Sequence, residues 1–459
     1  MPESERSGHA RQLFSIWFAA NIGVLGIVYG AIIVSFGMNA AQSLLAILVG
    51  SASFLLVGAL SLAGRDGGAP MMTLSRKVFG IYGNLLPNVV GWLSLVGWET
   101  ITVITGTLAL QALFTLFWPG APVTTMVVAM VLMMGCIIAA SLLGQATLVV
   151  IQTGASFIFG FLTLVVAALL ISHTHWRAEW VRPTGSWLRG FVPATSIVVA
   201  GTGLSWANAA ADYSRYLRRD VSGWSIVAAT TLGGAIPTIG LMVVGVLLAS
   251  QVPSLASASN PIQVIRAVLP SWAAVPYLLT AAGGLVVEGD LSLYSSGLNL
   301  LTMFVPLARY KTVIIDAVIM AAGTVYIVLV RRAFLGPFES FIVLLGVGLA
   351  SWAGVFGADQ LAHRHDDPRY PTFMLVPSPS ARTVYWPAVG CWILGTAVGL
   401  LFTASPWFTG PLARGIFAGS SLELLGAFGS AGIGYWLIER RHAAHAHGKM
   451  KGPMGVSGQ

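Results

Sequence analysis

The chain has 459 residues, 56% hydrophobic and only 9% charged, with 24 Lys and Arg against 16 Asp and Glu and a formal net charge of +8. Soluble domains carry about 25% charged residues, so too few polar groups remain to cover a water-facing surface. This excludes a soluble enzyme, a disordered chain and a protein with one membrane anchor.

Between Arg11 and Arg65 lie 53 uncharged residues, and between Glu99 and Arg177 another 77. A helix needs about 20 apolar residues to cross a bilayer, so each stretch holds several. Residues 1–12 form a short N-terminal segment. The apolar run after it is long and lacks a cleavage site, so it reads as a retained helix rather than a signal peptide. Apolar runs between charges and Pro or Gly breaks then predict spans at 13–37, 42–64, 88–116, 124–142, 147–171, 190–211, 225–250, 273–304, 312–330, 337–356, 384–404 and 416–438. They group as 13–171 (helices one to five), 172–356 (six to ten with a preceding loop) and 384–438 (eleven and twelve). The loop carries Trp176, Trp180 and Trp187 with three Arg, and reads as an amphipathic segment in the interface. Residues 439–459 read as a disordered tail. Cys136 and Cys391 both sit in apolar runs as small buried hydrophobes, with no disulfide framework.

Twelve spans put both termini on one side. That side then holds 17 of the Lys and Arg and the other holds 7. The positive-inside rule makes the termini cytoplasmic, in the inner (plasma) membrane of a bacterial-type cell.

Glycine interrupts two spans five helices apart: Asn21-Ile22-Gly23-Val24-Leu25-Gly26 with Gly30 in the first, and Gly201-Thr202-Gly203 in the sixth. Such a pair points to inverted repeats with discontinuous helices, because unwound backbone at mid-membrane is tolerated only inside protein or against a cavity. Close helix packing through small residues explains Gly26 and Gly30 equally well. Span three carries Glu99, and span eight carries Glu288 and Asp290. A carboxylate at the bilayer centre costs at least about 2.5–3.5 kcal/mol, so each is a functional candidate, the alternative being a structural carboxyl satisfied by a neighbouring helix. Asp316 and Glu423 lie near span ends and read as interfacial charges. All eight histidines lie outside the spans, so membrane-buried carboxyls are left as proton carriers, with Glu288, Asp290 and Glu99 the candidates in that order. Burial disfavours the charged form of a carboxyl, which suits it to take up and release a proton. The run from His363 to Asp367 and the cluster His442, His445 and His447 read as solvated segments rather than metal ligands. No phosphate loop or hydrolase motif occurs, and neither a metal nor a cofactor is expected.

The run Trp206-Ala207-Asn208-Ala209-Ala210-Ala211-Asp212-Tyr213-Ser214-Arg215-Tyr216-Leu217 resembles the signature that closes helix six in the cytosine/purine, uracil, thiamine and allantoin permeases, the nucleobase–cation symporters. Trp17-Phe18-Ala19-Ala20-Asn21-Ile22, then Arg76, Phe79, Gly80, Gly83 and Pro87 ahead of Gly97-Trp98-Glu99, and Leu293-Tyr294-Ser295-Ser296-Gly297-Leu298 agree in order and spacing over residues 12 to 440. The resemblance implies an all-α, LeuT-like fold: five plus five inverted helices, helices one and six discontinuous, and two additional helices at the C-terminal end. It also implies alternating access, with substrate held between helices one, three, six and eight. The family's stacking tryptophan falls on Trp98, its neighbouring polar position on Thr102, and its helix-eight polar positions on Glu288 and Ser292. The second stacking position falls on Gly203, where Trp206 substitutes or the glycine leaves room for a larger base; Gly26 marks the broken first helix. Val286 and Val287 stand where sodium-coupled relatives have two hydroxyl residues, and hard cations need oxygen ligands. Asp212 and Arg215 form either a gating lock or an ordinary helix-end ion pair.

The resulting expectation is a secondary transporter, not an enzyme, that imports cytosine, a purine or a related heterocycle with a proton. The base stacks near Trp98, a contact worth about 1–3 kcal/mol. Glu99 reads the base edge as a carboxylate accepts from cytosine N4. The only partners implied are that small molecule and the lipid bilayer. The alternatives are thiamine, allantoin or a hydantoin, or an amino acid on the same fold, sodium coupling, and, in a different class, an ion channel.

Overall fold

Lipid offers a backbone amide no hydrogen-bond partner, so spanning segments must satisfy their own, and this chain does so with helices. The computed structural model describes residues 2–142, 145–171, 180–258, 260–331, 335–363 and 369–450. Among these the only non-helical pairings are isolated bridges, Gly8 with Leu217 and Ala404 with Thr409. The helices are α1 (Ala10–Ala20), α2 (Leu25–Ser35), α3 (Ala40–Ser51), α4 (Phe54–Gly67), α5 (Met71–Phe79), α6 (Leu85–Phe117), α7 (Pro122–Leu142), α8 (Gln145–Ile171), α9 (Val192–Gly201), α10 (Gly203–Trp206), α11 (Ala210–Ser214), α12 (Gly223–Ala249), α13 (Pro261–Val268), α14 (Ser271–Thr302), α15 (Arg309–Val325), α16 (Leu335–Ala362), α17 (Thr372–Leu375), α18 (Trp386–Phe402) and α19 (Glu423–Met450). Among the described residues, nine helical stretches are long and apolar enough to cross a membrane, or up to ten with α1 and α2 taken as one bent span; α18 is a shorter apolar helix.

The two glycine-marked segments behave differently. α1 and α2 meet at 63°. Residues 21–24 leave the helix there, and the Asn21 Nδ2 donates to Trp17 O at 2.8 Å, satisfying a carbonyl that the break frees. The sixth span, Trp187–Ser214, runs through as one unit, with its helix interrupted at Thr202 (φ −126°, ψ −107°). The Gly203 N–H donates to Ser53 Oγ at 3.2 Å, between α3 and α4.

Glycines also set how closely helices approach. A Cβ on Gly30 would lie 2.1 Å from Met242 O and 2.8 Å from Gly245 Cα, so α2 and α12 touch backbone to backbone, as the small-residue alternative anticipated. Apolar side chains turn outward where lipid lies, including Val123 and Val131 of α7 and Phe157 and Phe161 of α8.

Several details depart from the sequence reading. Cys136 is exposed; Cys391 is buried. α19 runs on to Met450, into the segment expected as tail, and 451–459 lie outside the described residues. Of the interfacial loop, 172–179 including Trp176 lie outside them; Trp180 and Trp187 are exposed. Of the run His363 to Asp367, only His363 is described, its Nδ1 lying 3.1 Å from Asp359 Oδ1. Asp316 and Glu423 are not interfacial charges: both are buried, and each is met by neighbouring hydroxyls or N–H groups.

Replacing Gly30 by Ala should cost about 1–3 kcal/mol through overpacking and lower the melting temperature of the detergent-solubilised protein. An unchanged melting temperature would mean that α2 and α12 are not in backbone contact.

Candidate functional site

α6 and α14 pack together over the largest helix–helix interface of the described chain. The approach is set by Gly289, where a Cβ would stand 3.0 Å from Thr102 Oγ1. Trp98 is buried on α6 and meets Phe338 and Phe341 of α16 edge-on, at 6.1 Å each. Phe338 also lies 5.8 Å from the Tyr29 ring of α2. The Tyr29 hydroxyl sits over Gly201 at the end of α9, 2.2 Å from where a Cβ would be, and among the described atoms it has no hydrogen-bond partner. From α14, Glu288 Oε2 reaches to 3.2 Å from the Cβ position of Gly23, inside the α1–α2 break. An aromatic wall and a carboxyl group therefore converge where the broken first span meets α6, α9, α14 and α16. Such a place can stack a flat ring and hydrogen-bond its edge. Ser292 lies one turn beyond Glu288, fully buried, its hydroxyl without a partner among the described atoms.

Other predicted residues are placed elsewhere. Gly203 does not open space for a base: its Cβ would lie 2.4 Å from the Ser53 carbonyl carbon, so the missing side chain admits the α3–α4 backbone. Trp206 is not opposite Trp98 but packs against Trp17 of α1, which in turn packs on Tyr213, both at 5.5 Å. Gly26 faces Leu241 of α12, at 2.7 Å from its Cβ position. The Thr102 hydroxyl is spent locally, donating to Glu99 O at 2.8 Å. Asp290 lies within electrostatic reach of Tyr213. Asp212 and Arg215 form no direct ion pair. Asp212 accepts the Met71 N–H at 2.8 Å and so caps α5, while Arg215 donates to the hydroxyls of Tyr216 and Tyr294, each at 2.9 Å.

Glu99 is fully buried, with Ser296 of α14 and Asp316 of α15 within its electrostatic reach. One residue along a helix is a rotation of about 100°, so Trp98 and Glu99 cannot both face one ring. Val287 packs with Ala19 of α1 and Ala155 of α8, giving that three-helix junction apolar side chains. Among the described residues no three His, Cys, Asp or Glu come together as a metal site.

The sequence reading missed Tyr29, Phe338, Phe341 and the burial of Asp316. Phe338 and Phe341 carried a signal, an aromatic pair at i, i+3 on one helix face; Tyr29 is the one hydroxyl-bearing ring between Leu25 and Ser35.

Against known proteins, the model of the family described as permeases for cytosine/purines, uracil, thiamine and allantoin matches residues 1–422. The chain belongs to this family. Among relatives of this permease, YxlA of Bacillus subtilis, provisionally named a purine-cytosine permease, is 24% identical over 453 residues, which cover 95% of this chain and 94% of YxlA. Mhp1, a nucleobase-cation-symport-1 family transporter in a closed conformation with bromovinylhydantoin bound, superposes with a TM-score of 0.74 at 19% identity, over 96% of this chain and 94% of its own. A Na+-coupled sialic acid symporter in a substrate-bound outward-open state gives a TM-score of 0.56 at 12% identity, over 94% and 95%. At these identities the structures establish the fold, which is LeuT-like. The permease is thus a polytopic membrane transporter and not an enzyme.

Gly203→Trp, which puts a ring where the resemblance expects a second stacking position, should leave the permease misfolded rather than retuned, because the ring would occupy the α3–α4 backbone. Size-exclusion profiles of the purified variant test this; a monodisperse, substrate-binding Gly203→Trp protein would disprove the packing role.

Proposed function

We infer that the permease imports a nucleobase, cytosine or a purine, across the inner membrane by alternating access with a proton, both termini cytoplasmic. The observation that carries this is the position of Trp98. It is a buried tryptophan within a spanning helix, walled by Phe338 and Phe341, on the same junction as a carboxyl group aimed at the first-span break. The ring stacks on Trp98, while Glu288 and Ser292 bond its polar edge; an ionised Glu288 accepts from an exocyclic amine as Glu does from cytosine. Substrate then shifts the equilibrium between outward and inward states through its different affinity for each. Valine side chains at Val286 and Val287 give a hard cation no oxygen, which favours a proton, with the intramembrane carboxyls Glu288, Asp290 and Glu99 as its candidate carriers. A hydantoin such as allantoin is the second reading, supported by the bromovinylhydantoin bound in Mhp1.

Uptake of labelled cytosine, adenine, hypoxanthine, uracil and allantoin, each with and without sodium and a proton gradient, decides between these readings. Cytosine or a purine should be taken up without sodium and lost on collapsing the gradient. Trp98→Ala should weaken substrate binding roughly ten- to a hundredfold, the loss of one stacking contact of about 1–3 kcal/mol, whereas Trp206→Phe should leave affinity within about twofold. Equal losses in both variants would remove Trp98 from the site.

A further inference from the structure

Glu99 of α6 and Asp316 of α15 are two buried carboxyls within electrostatic reach of each other, with Ser296 of α14 beside both. Both side chains are fully buried. Asp316 accepts from Trp92 Nε1 at 2.9 Å, and its Oδ2 lies 2.8 Å from Ser296 Oγ. Glu99 faces the same serine and the same aspartate, and neither of its oxygens has a hydrogen-bond partner of good geometry among the described atoms. Ser296 Oγ also lies 3.1 Å from Leu293 O. A hydroxyl has one hydrogen. If it goes to Leu293 O, the contact with Asp316 needs a proton on the carboxyl; if it goes to Asp316, Glu99 faces the serine with nothing to accept.

Among the described residues neither carboxyl takes part in an ion pair. On α6 the only Asp, Glu, Lys, Arg or His is Glu99, α7, packed against α6 and α15, has none, and α13, packed against α6 and α14, carries Arg266 in its last turn. On α14 the other acids are Glu288, which points to Gly23, and Asp290, on the side of Tyr213. On α15 the nearest bases, Arg309 and Lys311, stand at the first turn. On α16, Asp359 is held by Lys77 at 3.2 Å, next to α5. Two like charges in one unpaired, water-poor site cannot both persist.

We propose that Glu99 and Asp316, bridged by Ser296, are the site of the transported proton: one proton taken from water, held on a carboxyl oxygen of the pair and returned to water on the other side. This rests on the proton-symport reading above and names where that proton resides. The site adjoins the substrate without touching it, since Trp98 and Glu99 are consecutive on α6. A ring bound at Trp98 therefore contacts the same helical turn that carries one half of the pair. Of the candidate carriers this selects Glu99, and Glu288 then serves substrate recognition.

The test is transport in proteoliposomes by wild type, Asp316→Asn, Glu99→Gln and Glu288→Gln. Two modes are compared: accumulation driven by an imposed proton gradient, and substrate exchange at equilibrium, which needs no net proton movement. Asp316→Asn and Glu99→Gln should each lose accumulation at least about tenfold and keep exchange within about threefold, with exchange insensitive to pH. Glu288→Gln should lose both modes. Ser296→Ala, a smaller change, should shift the pH profile of accumulation and covers the event that an amide variant fails to fold. Gradient-driven accumulation retained by both amide variants, or an unshifted profile in Ser296→Ala, would overturn the pair as the proton site while leaving proton symport standing. Strict sodium dependence of the wild type would overturn proton symport itself.

Discussion

Everything at the centre of this transporter depends on leaving the helix inside lipid. Each backbone amide that loses its helical partner there must find another or cost several kcal/mol. At the first span the replacement is the side chain of Asn21, donating to Trp17 O at 2.8 Å. At the sixth it is Ser53, which takes the Gly203 N–H from a neighbouring span. The first repair is local and permits a 63° bend; the second is borrowed across helices, and the span runs on past the break at Thr202 and a 3-10 turn over Ala207–Ala209. The bend brings Gly23 under Glu288, and with it a carboxyl group into the same place as an aromatic wall.

Close approach is the second device. Gly289 lets α14 settle against Thr102, Gly30 lets α12 touch α2, Gly203 lets α3 and α4 reach α10, and Gly201 receives the Tyr29 hydroxyl. Lipid supplies no hydrophobic drive to bring helices together, so packing and hydrogen bonds must. The end of the bundle that carries the N-terminus is held in the same way by polar straps: Arg76 donates to Leu375 O at 2.7 Å and Thr302 O at 2.6 Å, and the Gly8 N–H to Tyr216 O at 3.0 Å. With the ends tied, the aromatic ladder of Trp206, Trp17, Tyr213 and Tyr294 joins spans one, six and eight.

Legibility in the sequence followed the range of the interaction. The spans were readable because apolar runs between charges are a local property, and the burial of Trp98 and Glu288 inside spans because each is an unusual residue in an apolar helix. Gly203 and Gly26 were misread because a glycine in a span says that something comes near without saying what. For Gly203 it is Ser53 and for Gly26 it is Leu241, both far away in sequence. Trp206 was placed by its nearness in sequence to Gly203, whereas its ring goes to Trp17. Glu99 was legible as a buried carboxyl, but not its neighbours Ser296 and Asp316, because its azimuth on α6 is about 100° from that of Trp98.

By itself the sequence determined that the protein lives in a membrane, the order of its helices, the break in the first span and the family signature around Asp212. These are set by transfer energies and by residues close together along the chain. Only the tertiary structure decided which face of each helix meets which neighbour. It put Phe338 and Phe341 beside Trp98, Tyr29 over Gly201, and Asp316 against Glu99 and Ser296. Those contacts join residues tens to hundreds of positions apart, and their choice lies in side-chain shape and hydrogen-bond geometry, which a one-dimensional pattern of apolar and polar letters does not hold.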